Sequence, residues 1–186
     1  MTVIAITGTM GSGKSTVAQR LSQQFSCTIL CEDDFNPAFS RSAEDVAIWW
    51  QQGGDVQQFD FTPLVEAVER ATAHGELVLL ETHFGRQHGQ LRPLIDLQLW
   101  LDVPFDIAFV RKAGQLCRQF AAGEPQDTKT GLQWMADFCD AWLNITRPMF
   151  TWQKSVIGGQ SDERINAEQS VERVLEQMRH LLPQAA

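Results

Sequence analysis

Residues 8–15 read Gly-Thr-Met-Gly-Ser-Gly-Lys-Ser and match the pattern G-x-x-x-x-G-K-[ST] at every fixed position. Glycines let backbone N–H groups turn toward phosphate oxygens, and the N-terminus of a following helix adds donors and a positive dipole. Lys14 can reach the β- and γ-phosphates, and the Ser15 hydroxyl can bind Mg²⁺. The pattern predicts a nucleoside triphosphate site. Its residues are Gly8, Thr9, Met10, Gly11, Ser12, Gly13, Lys14, Ser15 and Thr16.

Three carboxylates, Glu32, Asp33 and Asp34, directly follow a predicted strand at 28–31. In an open parallel sheet the ligand crevice lies beyond the carboxyl ends of the strands, which would place these groups near the phosphates. A kinase that phosphorylates a hydroxyl needs a group to orient that hydroxyl and accept its proton. The spacing alone is equally compatible with an acidic loop solvated on the surface.

Short apolar runs alternate with helical patterns, which predicts an α/β domain with a parallel sheet. Residues 36–60 are predicted to be irregular, and the breaker-rich segment 121–131 is predicted to be mobile. Strands are predicted at 3–6, 28–31, 77–80, 97–101 and 164–166. Helices are predicted at 14–25, from Thr62 to Gly75, at 105–120, at 132–153 with an interruption at Pro148, and from Ser170 to Pro183.

The composition is that of an ordinary globular domain, with 186 residues, 44% apolar and 20% charged, and a formal net charge of -8. The acidic excess argues against a polynucleotide partner, which would need a broad basic surface. No apolar stretch is long enough for a membrane span and no signal sequence is evident, so a cytoplasmic location is expected. The four cysteines form no C-x-x-C pair, which predicts reduced and mostly buried thiols.

The phosphate loop, together with the run Glu-Asp-Asp-Phe-Asn-Pro at 32–37, resembles the uridine kinase and nicotinamide riboside kinase family. In that family the first Asp of an Asp-Asp-Phe or Asp-Ser-Phe motif acts as base toward the sugar 5′-hydroxyl, a role that the resemblance gives to Asp33. The resemblance also implies ATP and Mg²⁺ as cofactors. The implied fold is a three-layer α/β P-loop nucleoside-kinase-like domain over 1–186, with a five-stranded parallel sheet and a small helical lid at about 111–131.

Further residues gain roles through the same resemblance. Glu81 ends a segment similar to the family's third strand and would lie near Mg²⁺ and the acceptor, although Thr82 follows it where the family usually has Gly. Residues 54–60 are similar to the segment that places an Asp on the ribose hydroxyls. Asp55 is the first choice for that role and Asp60 the second, and Asp60 is equally well explained as a cap of the next helix.

Residues 91–112 resemble the family's fourth strand and lid helix, where arginines close over the γ-phosphate and neutralise charge. Arg111 is the first candidate for this catalytic role, and Arg118 is the next, as an ATP ligand. Lys112 is the remaining candidate. This lid is less basic than usual for the family, and basic residues solvated on a helix face are the alternative interpretation.

Two other groups of side chains are close to these motifs. Trp49, Trp50 and Phe35 could stack on a planar base, although single aromatics are more often core residues. The basic residues that follow Glu81 could touch substrate, but the two histidines among them are a poor metal-site signal, and all four are predicted to be solvated. They are His83, Arg86, His88 and Arg92.

The motifs predict an ATP-dependent kinase that phosphorylates a hydroxyl of a small molecule, with a ribonucleoside or nicotinamide riboside as favoured acceptor. One alternative keeps the fold and changes the acceptor to pantothenate, a sugar or a sugar phosphate. Another is a nucleotide-dependent switch ATPase that acts on a protein partner. The sequence disfavours the switch because the strand at 77–80 ends in the single carboxylate Glu81 and no N/T-K-x-D motif is present.

Overall fold

The computed structural model describes residues 2–35, 43–123 and 125–182, and for 43–44 and 125–129 it describes the backbone only. The strands are β1 (Val3–Thr7), β2 (Cys27–Cys31), β3 (Leu77–Glu81), β4 (Leu97–Asp102) and β5 (Glu163–Asn166). They form one parallel sheet in the order β2-β3-β1-β4-β5. The predicted five-stranded parallel sheet is confirmed, and each predicted strand is extended by one residue.

The sheet is covered on both faces, as the continuous apolar strands predict. Successive side chains of a strand point to opposite faces. Along β1, Val3 and Ala5 join one hydrophobic cluster, whereas Ile4 and Ile6 join the other. All four side chains are almost completely buried. The central strand is therefore held rigidly beneath the loop that follows it.

Helices account for most of the remaining chain. None of those described is long and apolar enough to cross a membrane. The helices are α1 (Lys14–Ser22), α2 (Glu32–Phe35), α3 (Ala43–Gln51), α4 (Thr62–Ala73), α5 (Phe105–Ala121), α6 (Pro125–Ala141), α7 (Arg147–Val156) and α8 (Val171–Met178).

The prediction of an irregular segment at 36–60 is wrong over much of its length. Residues 36–42 lie outside the described part, but α3 follows them, and a short 3₁₀ turn covers Val56–Gln58. Val46, Trp49 and Trp50 have the i, i+3, i+4 spacing of one helix face, and Trp49 is 6% exposed. The apolar surface that the two tryptophans bury stabilises α3, although most of the neighbouring sequence is polar.

Segment 121–131 is also more regular than its breaker-rich sequence suggests. Residue 124 lies outside the described part, but α6 is helical from Pro125 onward. Proline is tolerated in the first turn of a helix because the N–H that it lacks would have no partner there. A Cβ on Gly131 would come within 2.4 Å of Phe120 Cγ, so the glycine allows α5 and α6 to pack closely.

The predicted interruption near Pro148 is confirmed. A π-helical segment, Trp142–Thr146, separates α6 from α7, and Pro148 lies in the first turn of α7. Proline cannot donate the backbone hydrogen bond of a helix interior, so the chain starts a new helix here. The single long helix at 132–153 is thereby divided, which turns Phe150 and Gln153 inward.

The cysteines are all free, as predicted, but they are not mostly buried. Cys27 and Cys31 at the two ends of β2 are partly buried. Cys117 on α5 and Cys139 on α6 are exposed, because the adjacent residues Leu116 and Phe138 occupy the inward faces of their helices.

Candidate active site

The phosphate loop joins β1 to α1 at the carboxyl edge of the sheet. Gly11 has φ +83°, in the left-handed region that favours glycine. A Cβ at this position would lie 2.2 Å from the carbonyl oxygen of Ala108 on α5, so only glycine fits between the loop and that helix. The loop therefore depends on glycine both for its conformation and for its packing.

Lys14 is 5% exposed and curls back over the loop. Its Nζ donates to the carbonyl oxygen of Gly8 at 3.0 Å and is 3.4 Å from that of Thr9. Burial lowers the pKa of Lys14, and the negative charges of Glu81 and Asp33 oppose that shift. The Lys14 ammonium is thus shielded from solvent, and a bound anion would compensate for the hydration that it has lost.

Ser15 and Glu81 come together from the start of α1 and the end of β3. Ser15 Oγ donates to Glu81 Oε1 at 2.7 Å. A hydroxyl and a carboxylate are hard oxygen ligands, and Mg²⁺ typically uses one or two carboxylates with substrate phosphates. Among the described residues no group of three or more His, Cys, Asp and Glu side chains could hold a metal alone. The pair therefore fits a magnesium ion that is shared with a nucleotide.

The acidic cluster after β2 separates into three environments, because successive residues of the short helix α2 point in different directions. Glu32 is fully buried, whereas Asp33 and Asp34 are exposed. Asp33 faces the phosphate loop, and its Oδ1 lies 3.4 Å from His83 Nε2. The hydrogen bond with His83 lowers the pKa of Asp33 in spite of partial burial, which keeps the carboxylate ionised.

Glu32 is a structural partner of the turn after β3. Its Oε2 accepts hydrogen bonds from Thr82 Oγ1 and, at 3.2 Å, from the backbone N–H of His83. Burial raises the pKa of Glu32, and its Oε1 has no hydrogen-bond partner among the described residues. The residue thereby fixes the backbone that carries His83 toward Asp33.

Thr82 stands where the kinases that the motif resembles usually have glycine, and it adopts the turn without strain, since no described residue other than glycine has a positive φ. Its hydroxyl accepts from the backbone N–H groups of Phe84 at 3.2 Å and Gly85 at 2.9 Å. The threonine closes the turn through its side chain where glycine would rely on backbone freedom. The same hydroxyl donates to the buried Glu32, so the turn and the buried carboxylate are coupled.

Two cavities meet at Asp33. The phosphate cavity, of about 450 Å³, is lined by the loop, Asp33, Glu81 and His83, and by residues of α5. The apolar cavity, of about 240 Å³, lies on the other side and is walled largely by aromatic and methionine side chains. Met10, Asp33 and His83 line both. A molecule in the apolar cavity would consequently present its near end to Asp33 and to the phosphate site.

The candidate lid residues lie on α5 along the phosphate cavity. The Arg111 guanidinium donates to the carbonyl oxygens of Ala167 at 2.8 Å and Glu168 at 3.2 Å. It therefore holds the segment after β5 and also lines a small third cavity of about 180 Å³. Lys112 and Arg118 line the phosphate cavity, and the charge of Lys112 contributes to the lowered pKa of Asp33.

Asp55 and Asp60 line neither the phosphate cavity nor the apolar cavity. Asp55 Oδ1 accepts from the backbone N–H of Gln57 at 2.9 Å, and Asp60 Oδ1 accepts from that of Thr62 at 2.9 Å. Asp55 therefore caps the 3₁₀ turn Val56–Gln58, and Asp60 accepts from the first backbone N–H of α4, whose N-cap position is Phe61. Their proposed contact with an acceptor stays a prediction.

Of the four basic residues after Glu81, Arg92 is exposed as predicted, but the other three are partly or fully buried. His88 is 2% exposed, with Nε2 3.0 Å from the carbonyl oxygen of Phe59. Burial lowers the pKa of His88. Arg86 is partly buried and bonds Asp162 and the backbone carbonyls of Ile95 and Asp96. These contacts join segments far apart in sequence, which spacing alone does not reveal.

Sequence reasoning assigned no role to Gln153 and favoured a solvated His83. Gln153 lines the apolar cavity from α7, and His83 lines both cavities. Of the aromatic candidates, Trp49 lines the apolar cavity, whereas Trp50 packs edge-on against Trp152. A position two residues after Glu81 was the one available signal for His83, and Gln153 offered none.

Comparison with known sequences gives a family but no characterised relative. The sequence model of the family described as "AAA domain" matches residues 4–116, from β1 into α5. The chain belongs to this family. The match includes the phosphate loop, Asp33 and Glu81. No curated protein matches the chain significantly.

The solved structures that resemble this AAA-domain protein over nearly its whole length include two kinases. Deoxyadenosine kinase from M. mycoides with bound dATP has a TM-score of 0.58 and 16% identity, with 96% of this chain and 98% of that chain covered. Shikimate kinase from Aquifex aeolicus has a TM-score of 0.54 and 16% identity, with 96% and 94% covered. The likeness confirms the P-loop kinase-like fold. The resemblance to uridine and nicotinamide riboside kinases in particular stays a prediction.

Proposed function

We propose that this protein is an ATP-dependent kinase that transfers the γ-phosphoryl group to a hydroxyl of a small molecule. The observation that carries the proposal is the position of Asp33, which lines the phosphate cavity and the apolar cavity at once. A simple ATPase needs only the first of these. A second cavity with an ionised carboxylate at its mouth supplies a place for an acceptor and a group to orient its hydroxyl.

In the proposed step the acceptor oxygen forms a bond to the γ-phosphorus while the bond from that phosphorus to the bridging oxygen breaks, and ADP leaves. The proton of the hydroxyl passes to the Asp33 carboxylate. Phosphoryl transfer demands little covalent chemistry from the protein, so orientation matters more than strong basicity. The lowered pKa of Asp33 is compatible with this, because the group must be ionised before it can accept a proton.

The loop backbone and Lys14 would hold the phosphates. The buried ammonium of Lys14 recovers through phosphate oxygens the stabilisation that it lacks in a dry environment. Ser15 and Glu81 would hold Mg²⁺, which, when bound with ATP, would supply positive charge against the negative charge that develops during transfer. Of the cations on α5, Lys112 and Arg118 are the better placed to meet the γ-phosphate, since Arg111 bonds two backbone carbonyls.

A ribonucleoside 5′-hydroxyl or nicotinamide riboside is the favoured acceptor, in line with the resemblance of the Asp-Asp-Phe motif. The test is transfer of label from γ-labelled ATP across nucleosides, nicotinamide riboside, pantothenate, sugars and sugar phosphates. We expect label in a nucleoside or in nicotinamide riboside. Label found only in pantothenate or a sugar would support the proposed kinase activity but show that the acceptor is not a nucleoside. Hydrolysis unaffected by any acceptor but raised by a cell protein would favour the switch ATPase.

A further inference from the structure

The start of α2 and the turn after β3 continue the register of the two strands that they follow. Strand β2 pairs with β3 up to their carboxyl ends. Immediately beyond the strands, Glu32 is hydrogen-bonded to Thr82, and Asp33 lies beside His83. Successive residues of α2 thus meet successive residues of the turn. The contact between Asp33 and His83 therefore follows the strand register.

Hydrogen bonds hold the backbone that carries His83. The backbone N–H of Thr82 donates to the carbonyl oxygen of Ile6 in β1 at 3.2 Å. The backbone N–H of His83 donates to Glu32 Oε2 at 3.2 Å, and both Thr82 and Glu32 are completely buried. The imidazole, with 19% of its side chain exposed, is consequently presented from a fixed turn.

The Asp33 carboxylate, in contrast, is on a side chain that is 51% exposed. An exposed side chain exchanges rapidly among rotamers unless a partner holds it. The lowered pKa of Asp33 keeps it ionised, and an ionised carboxylate only accepts hydrogen bonds. The contact at 3.4 Å is therefore made by His83 Nε2–H as the donor to Oδ1. This donation needs no positive charge on the imidazole.

We propose that His83 is a positioning residue for phosphoryl transfer: its Nε2–H holds Asp33 Oδ1 and thereby directs the other carboxylate oxygen, Oδ2, toward the acceptor hydroxyl. The role rests on the proposed function, which supplies the reaction. Both residues line the phosphate cavity and the apolar cavity, where the hydroxyl and the γ-phosphate would meet. A separation of 3.4 Å is long for a hydrogen bond, but such contacts in free enzymes often shorten when substrates bind.

Substitutions that remove or keep the donor test this role. His83→Met removes the N–H group and keeps a side chain of similar size, whereas His83→Gln keeps an N–H donor on an amide. We expect His83→Met to lower kcat by roughly 10–100-fold, because a small misplacement of a reacting group can cost about 10²-fold. His83→Gln should recover most of that loss. The KM for ATP should stay close to that of wild type in both variants, since the loop backbone and Lys14 would hold the phosphates.

The assay is steady-state transfer from ATP to whichever of uridine, nicotinamide riboside, pantothenate and glucose is phosphorylated fastest. His83→Met in an Asp33→Asn background tests whether His83 acts through Asp33. The double variant should have the kcat of Asp33→Asn alone, because the effects of residues that act as a unit do not add. His180→Met is the matched control and should keep the wild-type kcat. His180 is exposed in the turn after α8 and lines neither the phosphate cavity nor the apolar cavity.

Three results would overturn the positioning role: a wild-type kcat in His83→Met, equal losses in His83→Met and His83→Gln, or a further loss in the double variant. In each case a low kcat in Asp33→Asn would leave the proposed kinase intact. Absence of transfer by wild type to all four acceptors would instead refute the proposed function, and the role of His83 with it.

The melting temperature of each variant separates positioning from folding. If His83→Met melts well below wild type, the comparison of His83→Gln with His83→Asn replaces it, because asparagine carries the same amide on a shorter side chain. A higher kcat in His83→Gln than in His83→Asn would support the role of a donor at the Nε2 position. Equal kcat values would overturn it.

Discussion

Replacement of Asp33 by Asn separates a role in phosphoryl transfer from a role in stability. Asparagine keeps the size and shape of the side chain but cannot accept the hydroxyl proton. General-base catalysis is typically worth about 10²–10⁴-fold in rate. At about 1.36 kcal/mol per factor of ten, that loss corresponds to about 2.7–5.4 kcal/mol of transition-state stabilisation.

The stability cost of Asp33→Asn should be much smaller. The carboxylate contacts His83 at 3.4 Å, but its side chain is 51% exposed. Solvent-exposed ion pairs contribute about 0–1 kcal/mol. We therefore expect a free energy of unfolding close to that of wild type, with kcat reduced by at least about 100-fold. Affinity for a non-hydrolysable ATP analogue should change little, because no hydrogen bond among the described residues joins Asp33 to the loop backbone that would hold the phosphates.

The assay is steady-state transfer from ATP to the best acceptor, together with denaturant unfolding and calorimetry of the ATP analogue. Asp34→Asn is the matched control, since Asp34 is the adjacent exposed carboxylate and lines neither the phosphate cavity nor the apolar cavity. A kcat for Asp33→Asn within about twofold of wild type would refute the role of base, which requires a loss of about 10²-fold or more. An equal loss of kcat in Asp34→Asn would show that the effect comes from the change in net charge and not from the position of Asp33.

Three further changes have defined outcomes. Gly11→Ala should weaken ATP binding in calorimetry and lower the melting temperature, because the new methyl meets the Ala108 carbonyl oxygen at 2.2 Å; wild-type affinity would contradict the loop geometry. Ser15→Ala should raise the Mg²⁺ concentration needed for half-maximal activity, because Glu81 would lose its partner ligand, and an unchanged requirement would argue against this metal site. Burial raises the pKa of Glu32, so its contribution to stability is fully present below the unfolded pKa near 4.3 and is lost as pH rises through the folded pKa. Glu32→Gln should consequently flatten the decline of unfolding free energy from about pH 4.3 toward neutrality, and a curve parallel to that of wild type would contradict the burial of a titrating group.

The parts of the site that sequence could predict are those set by local pattern. The phosphate loop has fixed spacing, and β-branched or apolar runs identify the strands whose ends position Asp33 and Glu81. The register of β2, β3 and β1 then places Glu81 beside Cys31 and Ile6. The strand order is therefore enough to bring the Glu81 carboxylate to the phosphate loop, and no further sequence motif is needed. Topology and motif together therefore account for the phosphate half of the site.

The acceptor half depends on contacts between distant segments. Gln153 reaches the apolar cavity because a π-helical segment resets the helix before α7, which no periodicity shows. Glu32 and Asp33 are adjacent and chemically alike, but one is buried against Thr82 and the other faces the phosphates. Side-chain direction on a four-residue helix is decided by tertiary packing, so the spacing alone indicated only the cluster, and the choice of Asp33 came from the family resemblance.

The most direct test of the central claim is the stoichiometry of ADP formation in the presence of Mg²⁺ and ATP, with and without a neutral nucleoside acceptor. The account predicts that ADP accumulates one for one with the phosphorylated acceptor, and that little ADP forms when the acceptor is omitted. ADP formation at the same rate without acceptor, and without any phosphorylated product, would contradict it.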